Sequence, residues 1–372
     1  MSVRLGVIGA GSAAAAATHV IGTAHPDAEI TVFEKSRGVC GRAAARRRTV
    51  GERQYVYDYG ANYLTDDDSR VNALVTDALA DGLVEVDGPI WTFDAAGNVS
   101  EGRDADKRQW TYADGITRLA KHLFEQAGVA VQQTTRIVDV AGGEGTGSGA
   151  QARPDGAPWG AGGWRLADAD GQTHGPFDAL LLNPPAPQTA HLLRATGVGA
   201  ADQLGAAAEA VEYRTVWTAV LGYEFSVEAP YYALVNADKE HAVGWIGREE
   251  RKPGHVPDGE SVLVVQANAK WSAKRYDEAP DDNIAALARH AADVMGEERL
   301  AAPDWTDWQG WRYALPEGAV EREALREAAR SGVYAAGDWV AGEARLHAAV
   351  RSGLKTGERI ARALDESPAS SL

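Results

Sequence analysis

The stretch that decides the fold is Val7-Ile8-Gly9-Ala10-Gly11-Ser12-Ala13-Ala14. Arg4 to Ile8 has the apolar character of a buried strand, and the small residues from Ala13 to Ile21 predict a helix directly after the turn. A second predicted strand, 29–33, leads into Glu34, roughly 20 residues beyond the glycines. A strand, a glycine-rich turn, a helix and an acidic residue in this order predict a dinucleotide-binding β–α–β unit.

Each position of this turn has a physical reason. Gly9 permits the tight bend, and Gly11 lets the backbone approach a pyrophosphate, with Ser12 beside it. Ala14 is small enough for the helix to pack on the sheet, and the helix N-terminus favours the negative charge of the pyrophosphate. Glu34 can accept hydrogen bonds from both hydroxyls of an adenosine ribose, and its charge disfavours a 2′-phosphate. The alternative is a glycine-rich turn in a sheet protein that binds no nucleotide.

Further motifs extend this pattern along the chain. Lys35-Ser36-Arg37-Gly38-Val39-Cys40-Gly41-Arg42 continues directly from the acid, and Asp58-Tyr59-Gly60-Ala61-Asn62-Tyr63 follows. With these motifs the chain resembles the FAD-dependent amine-oxidase superfamily and, within it, the renalase-type flavoproteins. Further phrases that carry the narrower resemblance occur in family order: Pro184-Pro185-Ala186-Pro187-Gln188, Lys270-Trp271-Ser272, Trp311-Arg312-Tyr313-Ala314-Leu315-Pro316 and Gly337-Asp338-Trp339.

The resemblance implies FAD as the cofactor and assigns contacts to it. The guanidinium of Arg42 can pair with phosphate or flavin carbonyl oxygens. Asp338 follows a strand, and the helix after it is expected to aim its N-terminus at the flavin pyrimidine ring. The expected FAD contacts are Gly9, Gly11, Ser12, Ala14, Glu34, Lys35, Gly41, Arg42, Gly60, Ala61, Asn62, Val138, Gly337, Asp338 and Leu346. Cys40 lies in the nucleotide turn region, away from the expected flavin ring, so we expect noncovalent FAD.

The substrate site is less well specified by the sequence. No pair of a nucleophile and a base for covalent catalysis is evident, and the catalytic residues stay unknown. Candidates for the substrate cavity are Tyr63, Trp271, Tyr313 and His347, although aromatic residues in strands are often plain core. His347 stands where family members often carry an acidic residue. The histidines show no spacing typical of a metal site, so no metal is expected.

Composition limits the partners and the compartment. A net charge of −16 argues against nucleic acid or an anionic membrane as a partner. One cysteine excludes an internal disulfide, and no apolar run approaches the ~18 residues of a membrane span. The nucleotide turn begins too near residue 1 to leave room for a signal peptide. We therefore expect a cytoplasmic monomer or homodimer, from a salt-adapted source or as an ordinary acidic protein.

The organisation predicted along the chain is an α/β protein. A discontinuous Rossmann-like FAD-binding domain carries an inserted α+β substrate domain built on an antiparallel sheet. The FAD-binding domain is predicted to comprise 1–88, 111–186 and 306–372, and the substrate domain 89–110 and 187–305. Periodicity predicts helices at 67–82, 115–126, 190–211, 281–295 and 346–364, buried strands at 177–183 and 332–338, and a flexible loop at 142–163. Aromatic strands are predicted at 216–225, 231–235, 242–246 and 261–268.

The expected activity is that of an FAD-dependent oxidase. A small-molecule substrate would give hydride to the flavin, and O2 would reoxidise it with release of H2O2. The renalase-like resemblance implies isomeric reduced nicotinamide nucleotides as substrates. Alternatives are an amine oxidase, a carotenoid- or porphyrin-type FAD oxidoreductase, or a noncatalytic FAD-fold binding protein.

Overall fold

The structure is a computed structural model, and it describes residues 2–102, 107–142, 159 and 163–366. The loop predicted at 142–163 lies almost wholly outside these residues. The chain divides into two compact units. Unit 1 comprises residues 1–41, 119–212 and 316–372, and unit 2 comprises residues 42–118 and 213–315. The FAD-binding and substrate domains predicted from the sequence are functional assignments with other boundaries, and they stay predictions.

The strands of the described residues form five sheets. In chain order they are β1 (Arg4–Ile8), β2 (Glu29–Phe33), β3 (Ala45–Val50), β4 (Arg53–Asp58), β5 (Leu64–Thr65), β6 (Leu83–Glu85), β7 (Ile90–Phe93), β8 (Val99–Ser100), β9 (Gln109–Tyr112), β10 (Val131–Gln132), β11 (Ile137–Ala141), β12 (Trp164–Asp168), β13 (Thr173–Phe177), β14 (Ala179–Leu182), β15 (Glu212–Tyr223), β16 (Ala233–Asn236), β17 (Val243–Arg248), β18 (Ser261–Ala267), β19 (Trp305–Glu317) and β20 (Val333–Ala335).

The helices come between these strands and at the end of the chain. They are α1 (Ser12–Ala24), α2 (Ser69–Ala73), α3 (Arg118–Gln126), α4 (Ala186–Leu192), α5 (Gly199–Glu209), α6 (Ala269–Arg275), α7 (Pro280–Met295), α8 (Arg322–Arg330), α9 (Asp338–Ala341) and α10 (Leu346–Asp365). A π-helical turn, Leu74–Ala78, follows α2, and two 3₁₀ turns lie at Glu249–Arg251 and Glu298–Ala301. None of the helices in the described part of the chain is long and apolar enough to cross a membrane.

Unit 1 is built on a five-stranded parallel sheet in the order β10-β2-β1-β14-β20. β14 is fully buried and β1 nearly so, as their almost continuous apolar sequences require of central parallel strands. Helices α1 and α10 pack closely against each other. A Cβ on Gly353 would overlap the carbonyl oxygen of Ala13, and a Cβ on Gly357 would lie 2.8 Å from the carbonyl oxygen of Ala17. Glycine at these two positions therefore lets the backbones of the helices approach each other.

Unit 2 is built on a seven-stranded sheet in the order β19-β15-β18-β17-β16-β7-β8. Its largest hydrophobic cluster joins this sheet to α7, with side chains such as Leu263, Val265, Leu287 and Ala291 fully buried. The hairpin β3-β4 and the small sheet β5-β9-β6 complete the unit.

Several predicted elements are confirmed and others are corrected. The β–α–β opening is present as β1, α1 and β2, and the predicted final helix corresponds to α10. The helix predicted at 67–82 is wrong in extent, because α2 gives way to a π-helical turn that ends at Ala78. The strand predicted at 177–183 is interrupted at Asp178, whose backbone N–H donates to the carbonyl of Arg4. The sheet of unit 2 is not purely antiparallel, because β16 pairs in parallel with β7.

Candidate cofactor and substrate site

The carboxyl edge of the parallel sheet in unit 1 brings together three segments that lie far apart in the chain. β1, β14 and β20 are neighbouring parallel strands, so their carboxyl ends lie side by side. The residues that follow them are Gly9 to Gly11 after β1, Asn183 after β14, and Gly337 with Asp338 one residue beyond the end of β20. In open α/β sheets, ligands bind beyond this edge.

The turn after β1 needs glycine for two different reasons. Gly9 has φ 86°, in the left-handed region, and its N–H donates to the carbonyl of Phe33 at 2.8 Å. A Cβ on Gly11 would overlap the side-chain oxygen of Asn183. The amide nitrogen of Asn183 donates to the carbonyl of Ala336 at 2.7 Å, so this side chain links the turn to the last strand.

Asn183 is a site residue that the sequence prediction missed. It was predicted only as the end of a buried strand. The sequence feature that could have indicated Asn183 is a polar residue directly after an apolar strand of a parallel sheet and before two prolines.

The second glycine motif contacts the first turn. The N–H of Cys40 donates to the carbonyl of Ala10 at 2.7 Å, and a Cβ on Gly41 would lie 3.4 Å from the Cα of Gly11. Cys40 and Gly41 both have positive φ, 78° and 63°. Cys40 is therefore a buried cysteine in a backbone conformation that favours glycine.

The N-terminus of α1 offers backbone donors beyond the turn. The helix begins at Ser12, and its first backbone bond runs from the N–H of Ala15 to the carbonyl of Gly11 at 3.0 Å. By helix geometry, the N–H groups of the first turn point past the helix end. Together with bare backbone at Gly11 and Gly41, these donors fit the pyrophosphate of FAD.

Glu34 is buried and already has two backbone partners. One of its carboxylate oxygens accepts from the N–H of Ala10 at 2.9 Å, and the other accepts from the N–H of Ser36 at 2.8 Å. A carboxylate has about four acceptor sites, so capacity for ribose hydroxyls remains. Glu34 therefore also fixes the turn into which the dinucleotide would fit.

Lys35 and Val138 lie on the exposed side of this region. Lys35 is exposed, and its ammonium lies 3.4 Å from the side-chain oxygen of Gln188. The segment that leads into β11 bonds to the residues after β2, since the N–H of Thr135 donates to the carbonyl of Glu34 at 2.9 Å. Val138 follows on β11 and is 41% exposed.

The last strand of the parallel sheet is tied to α10. The N–H of Gly337 donates to the hydroxyl of Ser352 at 3.2 Å. The buried carboxylate of Asp338 accepts from the N–H of Trp339 at 2.9 Å. Leu346 begins α10 and is half-buried, and the side chain before it provides no cap for the helix. As at any helix N-terminus, the first backbone N–H groups of α10 have no acceptor within the helix itself.

His347 is buried at the start of α10. Its Nε2 lies 3.1 Å from a carboxylate oxygen of Glu343, whose other oxygen accepts from Arg351 at 2.9 Å. Burial raises the pKa of Glu343, but the bonds from Arg351 and His347 outweigh it and hold this pKa below its ordinary value. Glu343 thus places a carboxylate against His347, four positions before it in the chain.

In unit 2, Gly60 and Arg42 form a close backbone contact. A Cβ on Gly60 would overlap the carbonyl oxygen of Arg42, and that oxygen accepts from the N–H of Ala61 at 2.9 Å. The guanidinium of Arg42 donates to the carbonyl of Ala314 at 2.7 Å and lies 5.9 Å from the ring centre of Tyr213.

The hydrogen bonds of the Asn62 side chain bear on whether this region is suited to bind a flavin. Its side-chain nitrogen lies 3.3 Å from the carbonyl of Gly60, and Gln266 donates to the same carbonyl at 2.7 Å. The side-chain oxygen of Asn62 is buried and has no hydrogen-bond partner among the described residues. A buried acceptor of this kind calls for a ligand or water donor, which suits a residue expected to face FAD.

The four cavity candidates have different surroundings. Tyr63 packs against Tyr232 and Trp245, at 6.0 and 5.7 Å between ring centres. Trp271 packs against the hydrophobic cluster of unit 2, which is a structural role. Tyr313 lies on β19 against Tyr213, and the fourth candidate, His347, belongs to unit 1.

The expected FAD contacts thus fall into one set in each unit. Arg42, Gly60, Ala61 and Asn62 belong to unit 2, and the other expected contacts belong to unit 1. Their roles toward FAD stay predictions.

The three arginines of β3, Arg46, Arg47 and Arg48, differ in their surroundings. The side chain of Arg47 is 62% exposed. Arg46 pairs with Asp307 at 2.8 Å and lies over the ring of Tyr59. Arg48 donates to the carbonyl of Thr306 at 2.8 Å.

A buried network of charged side chains includes Asp58, two positions before Gly60, and was not predicted from the sequence. We call Asp58, Glu249, Lys252 and His255 the buried charge network; each is at most 1% exposed. The ammonium of Lys252 donates to Asp58 at 2.9 Å and to Glu249 at 2.7 Å. The ammonium therefore occupies the position that a metal ion would need between the carboxylates.

Geometry fixes the protonation of His255. Its Nδ1 lies 2.9 Å from a carboxylate oxygen of Glu249, and its Nε2 lies 2.9 Å from the carbonyl oxygen of Tyr112. Both neighbours only accept, so the ring donates from both nitrogens and carries a positive charge. Burial lowers the pKa of His255, but Glu249 and Asp58 outweigh it and raise this pKa above its ordinary value. Two carboxylates and two cations balance each other.

Comparison with known proteins agrees with this geometry. Residues 7–78 match the NAD(P)-binding Rossmann-like domain, and residues 87–361 match the family described as flavin containing amine oxidoreductase. The α/β fold class with a Rossmann-like domain is thereby confirmed.

Solved structures with a similar fold cover nearly the whole chain. A putative protoporphyrinogen oxidase from Exiguobacterium sp. 255-15 has a TM-score of 0.74 at 15% identity, over 97% of this chain and 99% of that one. Cyclohexylamine oxidase from Brevibacterium oxydans IH-35A has a TM-score of 0.70 at 13% identity, over 98% and 100%. A fatty acid isomerase from P. acnes that produces CLA has a TM-score of 0.65 at 13% identity, over 96% and 98%. At these identities the likeness concerns the fold alone.

Proposed function

The chain belongs to the flavin-containing amine oxidoreductase family, and on that premise we propose that it is a renalase-like oxidase of isomeric reduced nicotinamide nucleotides. That the protein is an FAD-dependent oxidoreductase follows from the family itself. The proposal concerns the substrate, the use of O2 as electron acceptor and the release of H2O2.

The residues of unit 1 are suited to hold the ADP half of FAD. Bare backbone at Gly11 and Gly41, the N-terminus of α1 and the carboxylate of Glu34 would bind the pyrophosphate and the ribose. When bound, FAD supplies the redox chemistry, since it can accept a hydride and pass two electrons to O2. The chain contributes binding, orientation and exclusion of water.

The observation that carries the substrate proposal is the aromatic surroundings of residues 60–63. Tyr59 stacks on Trp311 with 5.4 Å between the ring centres, and Tyr63 packs with Tyr232 and Trp245. Flat aromatic side chains bind and orient a planar ring such as a dihydropyridine. Removal of hydride from an electron-rich ring needs orientation more than a general base, which suits a site whose catalytic residues are not evident.

FAD is proposed to bind without a covalent bond. The single cysteine, Cys40, is buried beside the nucleotide turn of unit 1, where the ADP half of the cofactor is expected. Mild denaturant should therefore release all of the flavin. Flavin that stays on the chain would contradict this.

Aerobic turnover tests the substrate proposal. With an isomeric reduced nicotinamide nucleotide, the protein should consume one O2 and release one H2O2 for each oxidised nucleotide formed. An amine panel that includes cyclohexylamine is the comparison, because a relative of similar fold is named for that substrate. H2O2 formed from amines alone would favour an amine oxidase and overturn the proposal.

A further inference from the structure

Three aromatic side chains of unit 2 enclose one another beside the segment 60–63. We call Tyr63, Tyr232 and Trp245 the ring cluster; their ring centres lie 5.7 to 6.0 Å apart. Tyr232 is fully buried, while Tyr63 and Trp245 are half-buried. The cluster therefore extends from the protein surface into the interior.

Two polar atoms of the ring cluster are buried without a hydrogen-bond partner in the part of the chain that the structure describes. They are the hydroxyl of Tyr232 and the indole nitrogen of Trp245. Buried polar atoms nearly always have partners, and those that lack one call for a ligand, a water or a functional reason. Two of them within a single group of three rings therefore indicate a binding position.

Both atoms can act as donors. An indole N–H donates and never accepts. Burial, with a smaller effect of Glu249, raises the pKa of Tyr232 well above its ordinary value, so its hydroxyl keeps its proton. The matching partner is therefore an oxygen that accepts hydrogen bonds. A protonated amine offers only donors and cannot pair with the indole N–H.

The ring cluster lies next to the expected flavin contacts. Trp245 pairs with Gln266 across β17 and β18, so the two side chains share one face of the sheet. Gln266 donates to the carbonyl of Gly60 at 2.7 Å, and Tyr63 continues the segment that begins there. The donors and the predicted flavin contact thus lie on the same side of this sheet.

We propose that the hydroxyl of Tyr232 and the indole N–H of Trp245 bind the carboxamide oxygen of the nicotinamide ring, with Tyr63 and Trp245 packing against the ring. This assignment rests on the proposed function and names the group by which the substrate is recognised. It explains why an aromatic site would select a dihydronicotinamide over an amine of similar size.

The test uses ligands that bind without turnover. The FAD-loaded protein is titrated with nicotinamide and with 3-methylpyridine, which has the same ring and no acceptor oxygen. Dissociation constants are read from the shift of the flavin absorbance and from calorimetry. Wild type should prefer nicotinamide by at least about tenfold, and Tyr232→Phe and Trp245→Phe should each weaken nicotinamide alone by about five- to tenfold.

Two matched variants control for structural damage. Tyr223→Phe removes another buried hydroxyl of unit 2, which donates to the carbonyl of Leu300. Trp305→Phe removes another buried indole N–H, in a separate group with Tyr55. Both should keep the wild-type preference for nicotinamide. FAD content and thermal unfolding are measured for all four variants.

The outcomes separate this assignment from the redox proposal. The assignment is overturned if wild type binds nicotinamide no more tightly than 3-methylpyridine. It is also overturned if Tyr232→Phe and Trp245→Phe keep the preference for nicotinamide, or if they weaken the binding of both ligands equally. If the variants lose the preference while dihydronicotinamides fail to reduce the flavin, the binding position stands and the proposed reaction falls. If dihydronicotinamides reduce the flavin and the variants keep the preference, the reaction stands and the assignment falls.

Discussion

The carboxyl edge of the parallel sheet in unit 1 differs from the sheet face of unit 2, by which we mean the face that carries Trp245 and Gln266. The two regions offer a ligand different kinds of contact. At the edge, the candidate contacts come from the backbone, because Gly9 and Gly11 leave space and the N-terminus of α1 offers N–H groups. On the sheet face, the candidate contacts come from side chains. Aromatic rings and polar atoms without a partner among the described residues lie close to the buried charge network. Backbone recognition suits a constant cofactor, while side-chain recognition can change with the substrate.

We therefore expect single substitutions in the two regions to act through different physical effects. Changes at the carboxyl edge should act through the volume that a side chain adds. Changes beside the sheet face should act through charge and unpaired hydrogen-bonding groups.

Lys252→Met should destabilise the protein most. It leaves the buried carboxylates of Asp58 and Glu249 without their ammonium partner, which costs about 3 to 5 kcal/mol in the free energy of unfolding. Lys274→Met is the control, since Lys274 is exposed and its loss should cost less than about 0.5 kcal/mol. Urea unfolding of the FAD-loaded proteins measures both. Equal stability of the two variants would show that the buried charges do not depend on Lys252.

Gly11→Ala should weaken FAD binding by about 100-fold or more, which corresponds to about 2.7 kcal/mol. Its Cβ would overlap the side-chain oxygen of Asn183 and displace the turn. Gly38→Ala is the control, because a Cβ there has open space. Flavin titration of the apoproteins provides the dissociation constants. Tight FAD binding by Gly11→Ala would mean that the close approach to Asn183 is not required.

The charge of His255 predicts a pH dependence of stability. Its folded-state pKa is raised above the ordinary value of 6.5, so the folded state holds the proton more tightly than the unfolded state. The resulting stabilisation is complete below about pH 6.5 and is lost as pH rises through the folded-state pKa. The stability of wild type relative to His255→Gln should therefore decrease as pH rises from about 6.5 into the alkaline range. A difference that stays constant over this range would refute a charged His255.

Cys40 should show the smallest effect. Its φ of 78° is strained for a residue with a Cβ, so Cys40→Gly should be more stable than Cys40→Ala by about 1 kcal/mol. Both variants remove the sulfur, so the comparison isolates the backbone term. Thermal unfolding of the two measures it, and a more stable Ala variant would contradict the assigned conformation.

The same two regions differ in how far the sequence could predict them. The turn of unit 1 was predictable because Gly9, Gly11 and Glu34 form one local pattern with a fixed spacing. Asn183 escaped prediction because its contact with Gly11 depends on which strands are neighbours in the sheet. A single sequence does not reveal that order.

The polar groups of unit 2 were harder to predict for the same reason. Asp58 and Lys252 are 194 positions apart and meet only in the folded chain. The sequence predicts both Tyr63 and Trp271 as candidates for the substrate cavity. Packing separates them, since Trp271 covers the hydrophobic cluster and Tyr63 belongs to the ring cluster.

Anaerobic mixing of the FAD-loaded protein with reductants tests the central claim most directly. The positional isomers of a dihydronicotinamide nucleotide are compared with a panel of small amines, and the flavin absorbance is followed in time. We expect one or more of the dihydronicotinamide isomers to bleach the flavin rapidly and the amines to leave it oxidised. Rapid bleaching by an amine, with every dihydronicotinamide isomer inactive, would contradict the account.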